Sequence, residues 1–199
     1  MAFYKKNKVA KEKTEKKDRT NQIITIILGA LMVVSVLGYM WTGNSNSTSN
    51  YGKYKFEQTS QGWQVKINGN NHYFYYHPSQ IEQISLENST IAKIKSSPQI
   101  YITYNPANSY PDYIDLTRFE IANTLLENDI YIKNAAITNY SNMEIASCES
   151  NKTLMIMQLE ESNETKITDN GNCIKLQASS GMDFLALKDR MLYGIYGII

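Results

Sequence analysis

Hydrophobic side chains follow three rhythms along this chain, and each predicts a different kind of element. From Ile23 to Trp41 they run for nineteen residues without a charge. At ~1.5 Å per residue such a helix is roughly 28 Å long, close to the ~30 Å hydrocarbon thickness of a bilayer. The pattern predicts a single transmembrane helix over residues 23–42. A buried helix of a soluble core rarely shows so long a stretch with no polar face.

After the run the period shortens to two. Gly43–Asn50 carries no apolar side chain and reads as a flexible linker. Trp63–Ile67 alternates apolar and polar, Asn68-Gly69-Asn70-Asn71 has turn chemistry, and His72–Tyr76 is aromatic. Gly62–Tyr76 therefore predicts an N-terminal β-hairpin. Pro78 ends it, and Ser79–Leu86 suggests a short helix. Gln99–Tyr104 is a β-branched and aromatic strand stopped by Asn105-Pro106.

A period near 3.6 then enters. Ile114–Glu127 spaces Leu116, Phe119, Ala122 and Leu126 as a helical stripe, and Ile130–Ile137 returns to strand character. Strand, helix and strand of these lengths predict one right-handed parallel βαβ unit. Thr153–Leu159, Glu164–Thr168 and Cys173–Ala178, with a turn at Asp169–Asn172, predict an antiparallel three-strand meander. Last comes an amphipathic helix over Met182–Tyr196, capped by Ser180 with Asp183 three residues on. Its stripe is Phe184, Leu187, Met191, Ile195 and Ile198, widened by Leu185, Leu192, Tyr196 and Ile199. Lys188, Asp189 and Arg190 are expected to face outward. The fold class is thus α/β (α+β) over residues 51–199, about one domain's worth of chain.

Charge gives the run a direction. Residues 1–22 hold eight basic side chains (Lys5, Lys6, Lys8, Lys11, Lys13, Lys16, Lys17, Arg19) against three acidic ones; from Gly43 onward twelve basic residues face sixteen acidic. The positive-inside rule keeps residues 1–22 as a cytoplasmic tail and places the C-terminal domain outside, with Tyr39 and Trp41 in the outer aromatic belt. A cleaved signal peptide would have a shorter apolar core and small residues at its end. Tyr39-Met40-Trp41 are bulky, so an uncleaved signal-anchor in the cell membrane is expected. The basic tail has the means to attract anionic lipid headgroups as well as to set topology. It lacks the interleaved aromatics of a nucleic-acid binder, so no nucleic-acid partner is expected.

That direction bears on Cys148 and Cys173, the chain's two cysteines. Outside the cytoplasm a pair reads first as a disulfide. If the first and third meander strands run the same way, their starts share one edge of the sheet. Cys173 opens the third strand and Cys148 lies five residues before the first. Thiol–disulfide exchange would instead favour a Cys-x-x-Cys at a helix N-terminus, whereas Cys148 precedes Glu149 and Cys173 sits within a strand.

No other chemistry assembles. His72 and His77, the two histidines, lie five apart on one strand and point to opposite faces, so they share no metal and read as strand-end surface residues able to register pH. No Gly-rich phosphate loop, Gly-x-Ser-x-Gly or HExxH occurs. Asp112 with Asp115, and Asp183 with Asp189, are better explained as helix-start carboxylates than as acid/base pairs. No cofactor or metal is expected. Tyrosines concentrate in His72–His77 and Tyr101–Tyr113. Most such residues pack with the hydroxyl at the surface, and an exposed set would suit partner or glycan binding. Sequons at Asn46, Asn88, Asn139, Asn151 and Asn163 are compatible with an exposed, glycosylated surface but barely exceed chance.

The expectation is a single-pass, N-in membrane protein displaying a disulfide-stapled domain for binding or assembly at the cell surface. Its partners would be the lipid bilayer and another envelope or membrane protein. The alternative is a membrane-tethered enzyme, most concretely a thiol–disulfide oxidoreductase using Cys148 and Cys173. A third reading makes Gly194–Ile199 an apolar hook for another membrane subunit.

Overall fold

The computed structural model describes residues 24–36, 47–150 and 153–199. Residues 24–36 form a helix, α1, whose side chains are all exposed. The rest of the charge-free run, the basic tail and residues 43–46 of the expected linker lie outside the described residues. Among those described, no helix is long and apolar enough to cross a membrane. The chain divides into two compact units, Met1–Asn46 and Ser47–Ile199, and the second holds two sheets with helices between them.

The smaller sheet is an antiparallel run of four strands in sequence order: β1 (Thr48–Tyr51), β2 (Tyr54–Thr59), β3 (Gly62–Ile67) and β4 (Asn70–Phe74). The expected hairpin is its β3–β4 pair. Asn68 (φ 50°) and Gly69 (φ 90°) form the two-residue turn, where positive φ suits Asn and Gly. β1 begins inside the segment read as linker, because Thr48–Tyr51 pairs with Tyr54–Glu57 and satisfies its polar backbone there.

The larger sheet orders its strands β7-β6-β5-β8-β10-β9. They are β5 (Gln99–Tyr104), β6 (Tyr131–Ala136), β7 (Glu144–Ile145), β8 (Ile156–Glu161), β9 (Lys166–Asn170) and β10 (Cys173–Ala178). β5, α4 (Pro111–Leu126) and parallel β6 make the expected βαβ unit. The expected meander is not formed. β9 and β10 pair as an antiparallel hairpin, but β10 inserts between β8 and β9 and runs parallel to β8. β8 shows why: Ile156, Met157, Gln158 and Leu159 are buried on both faces, so it requires apolar neighbours on each side. Ile174 and Leu176 of β10 supply them, whereas polar β9 suits an edge.

Short helices α2 (Pro78–Ile81) and α3 (Asn88–Ser96) follow the small sheet, and α5 (Gly181–Tyr196) follows β10. Ile102, Leu159 and Leu176 of the large sheet, Ile121 and Leu125 of α4, Phe184 and Leu187 of α5, and Phe56 and Phe74 of the small sheet share one core. The opposite face of the large sheet carries a smaller cluster of Tyr101, Ala135, Ala146 and Ile156, with Cys148 and Leu154 packed on it.

Both long helices depart from their expected faces. On α4 the buried positions are Ile114, Thr117, Ile121 and Leu125, while Phe119 and Leu126 are 64% and 61% exposed. On α5 Lys188 and Asp189 are fully buried and Arg190 nearly so, not outward. The helix is enclosed by β10, α2, α3, α4 and the aromatics Phe56 and Phe74 of the small sheet. Gly194 lets α3 approach: a Cβ there would stand 2.8 Å from Ile91. After Gly197 (φ 68°) ends the helix, Ile195 is buried and Ile198 and Ile199 pack on the same core, so the hook reading fails.

Candidate functional site

Cys148 and Cys173 are joined by a disulfide with Cα atoms 5.4 Å apart. Cys173 opens β10 and is buried, and Cys148 lies in a turn on the outer face of the large sheet. The parallel run of β8 and β10 brings the two together, since it sets both strand starts at one edge. The Cys148 N–H donates to Gln158 Oε1 at 3.1 Å. Gln158, Gln177 and Lys175 all converge on Glu160, at 2.7, 2.8 and 3.2 Å. The polar side chains of this row satisfy one another.

The two histidines are separated by their environments. His77 is buried, not a surface residue. Its ring sits edge-on to Phe56 and Trp63 at 5.0 and 4.7 Å, its Nδ1 caps α2 beside Ser79, and its Nε2 meets no hydrogen-bond partner among the described residues. Burial lowers its pKa, because the apolar cage disfavours the imidazolium. His72 is half-buried and meets the Tyr196 hydroxyl at 3.0 Å.

The acidic pairs do not assemble either. Asp112 and Asp115 are exposed on α4, and Asp115 pairs with Arg118 at 2.7 Å, whose guanidinium lies 4.3 Å from the Tyr104 ring centroid. Burial raises the Asp183 carboxyl, but hydrogen bonds from Ser179, Thr165 and Ser180 outweigh it and hold it low. Asp189 lies elsewhere, inside the helix layer.

Asp189 belongs to a cluster that sequence reasoning missed. Lys188 Nζ stands 2.5 Å from Glu120 Oε2 and 2.5 Å from Asp189 Oδ1, the latter an ion pair without hydrogen-bond alignment. Asp189 Oδ2 accepts from the backbone N–H groups of Tyr75 and Tyr76 at 2.7 and 2.9 Å, so it ties α5 to the end of β4. The Tyr75 hydroxyl donates to Glu120 Oε1 at 3.1 Å. Burial pushes the Asp189 carboxyl up to about 6, against the opposing pull of Lys188 and the two N–H groups. Burial and the Glu120 charge push the Tyr75 hydroxyl up to about 12. The legible signal was the width of the α5 stripe: Leu185 and Leu192 beside Leu187 and Met191 leave no outward face for Lys188.

Glu120 carries this cluster to the surface. It lines a groove of about 200 Å³ between β4 and helices α4 and α5, bounded by Asn71, His72, Asn123, Thr124 and Tyr196. Two other clefts among the described residues are larger. One, of about 450 Å³, has its cation occupied, as Lys93 Nζ binds Asp169 Oδ2 and the Gly171 carbonyl at 2.8 and 2.7 Å. The other, of about 510 Å³, opens at the start of β5 beside Ser96, Gln99 and Thr153. Among the described residues no cluster of His, Cys, Asp or Glu could hold a metal ion. The groove sets hydrogen-bonding side chains and one carboxylate beside strand β4. No protein-family model, curated protein or solved structure matches this chain.

Proposed function

We propose that this chain is a single-pass, N-in membrane protein that displays its α+β domain outside the cytoplasm as a non-catalytic binding or assembly module. The observation that carries the reading is the charge-free run Ile23–Trp41, flanked by a basic tail, in a chain whose two cysteines are bridged. A disulfide persists where thiols are oxidised, the side to which the flanking charges assign the domain. The polar groups of the domain support a binding role, since Lys188, Glu160 and Lys93 are engaged by neighbours rather than poised to react. Thiol–disulfide exchange has less support, because Cys173 is buried in a strand start and neither cysteine opens a helix.

Protease shaving of intact cells expressing the full chain tests the topology. The domain is expected to be removed while a tag on the basic tail stays protected, with Cys148 and Cys173 unreactive to thiol reagents until reduced. A protected domain, or freely labelled cysteines, overturns the reading. Crosslinking from the displayed domain in its own membrane then tests the binding role, and a domain that captures no specific partner overturns that half.

A further inference from the structure

Among the described residues, strand β4 is an edge of the small sheet and pairs with β3 alone. Ile67 and Asn70 flank a two-residue turn, so they are the mutually hydrogen-bonded pair closing it. The ladder alternates from there, which makes Val65–His72 and Trp63–Phe74 bonded pairs too. The backbone N–H and C=O groups of Asn71 and Tyr73 therefore point away from β3, and both residues line the groove.

Natural edge strands are blunted by charge, proline, bulges or brevity. In the large sheet β7 has two residues, and β9 carries Lys166 and Asp169. β4 reads Asn-Asn-His-Tyr-Phe, with no charge and no proline, and Tyr73 is half-exposed. The groove described above runs along this free edge, walled by α4. A strand edge beside a helix-walled groove is the geometry by which sheets take up an extended peptide: main-chain bonds hold it and the groove reads its side chains.

The groove's charge states which side chain it reads. Glu120 and Asp189 share Lys188, so this set of three holds one more carboxylate than cations, and Glu120, its part-exposed member, reaches the groove. Glu127, the C-cap of α4, stands close enough to Tyr196 to act on its hydroxyl. Among the described residues, no Lys or Arg lines the groove. Lys66, paired with Asn71, is exposed on the sheet's other face, opposite buried Val65 and Ile67.

Resting on the binding-module reading, we infer that the free edge of β4 is a strand-addition site for an extended polypeptide segment, bonded to the backbone of Asn71 and Tyr73, with a lysine or arginine directed at Glu120. Phe119 and Leu126 are exposed on α4, the helix that also supplies Glu120, Asn123 and Thr124 to the groove.

The test pans a phage library of short random peptides against the full chain in detergent micelles under non-reducing conditions. Enriched sequences are expected to combine β-branched residues with a recurrent Lys or Arg. A synthetic peptide from that set should lose about tenfold or more in affinity when its basic residue becomes Gln or its backbone is N-methylated. Similar losses are expected with Asn123→Lys, which adds a cation at an exposed groove position, and with Tyr73→Pro, which removes an edge N–H; unchanged circular dichroism confirms that both variants fold. Peptides without a basic residue, no enrichment, or self-association of the chain through β4 overturns the proposal. Binders indifferent to both variants overturn the groove but leave the binding-module reading standing. A cytoplasmic domain in the shaving experiment would defeat that reading without touching the groove.

Discussion

Helices α4 and α5 are each sixteen residues long, yet they meet their surroundings differently. α4 has one buried face and leaves two large apolar side chains, Phe119 and Leu126, in solvent. α5 leaves Met182 exposed in its first turn but is buried without a break from Phe184 to Tyr193, and it takes a lysine, an aspartate and an arginine into the interior. Periodicity alone ranks Phe119 as core and Lys188 as surface, the reverse of what is observed. The number of packed surfaces around a helix, more than its own pattern, decides where each side chain ends. α5 has a sheet on one side, strands of another opposite, and helices flanking. Its charges are tolerated because each is bound: Lys188 by two carboxylates, Asp189 by two backbone donors, and Arg190 by the carbonyl of Ile84 at 2.8 Å.

The sharpest way to break this contrast is Lys188→Met, which leaves Glu120 and Asp189 near each other without a cation. It is expected to destabilise the domain by ~3–5 kcal/mol in denaturant unfolding, while the triple change Glu120→Gln, Lys188→Met and Asp189→Asn recovers most of that loss. Equal loss in both variants would show that the site tolerates no apolar replacement. The disulfide supplies a yardstick outside both helices. Replacing Cys148 and Cys173 by Ser should cost roughly 3–4 kcal/mol by relaxing the unfolded chain, and the cost should add to that of helix-layer substitutions.

Within α4, Ile121→Ala is expected to cost ~2–4 kcal/mol and Phe119→Ala to stay within ~0.5 kcal/mol by the same measurement. Similar values would place Phe119 in the core and end the contrast.

The smallest effect concerns pH. The folded-state pKa of His77 is lowered by burial, so its contribution is present while the ring is neutral in both states and declines as pH falls below ~6.5. His77→Asn keeps a helix-capping side chain and should remove that decline, a difference of about 1 kcal/mol or less between neutral and mildly acidic unfolding curves. Asp189 works in the opposite sense. Its carboxyl is raised to about 6, so its contribution is complete below the unfolded value and lost as pH rises through about 6. The His77→Asn variant exposes this slope by itself, and Asp189→Asn in that background should flatten it.

Much of the fold was legible because its signals are local. Asn68-Gly69 forced the β3–β4 turn, Ser180 capped the start of α5, and strand β5 matched its expected limits, Gln99–Tyr104. The groove was not legible. It needs Glu120 on α4, Lys188 on α5 and the free edge of β4 at one place, and their spacing in the chain carries no trace of that meeting. His77 was misread for the same reason: the rings of Phe56 and Trp63 that bury it come from other strands.

By itself the amino-acid sequence determined the charge-free run and its basic flank, the hairpin turns, the strand–helix–strand unit and the cysteine pair, because each depends on neighbouring residues or on composition. Only the tertiary structure decided that β10 would separate β8 from β9, that α5 would bury its charges, and that β4 would be left with an open edge. Those outcomes depend on how many faces of each element must be covered at once. No single segment holds that quantity, since apolar area is removed from water only when elements meet.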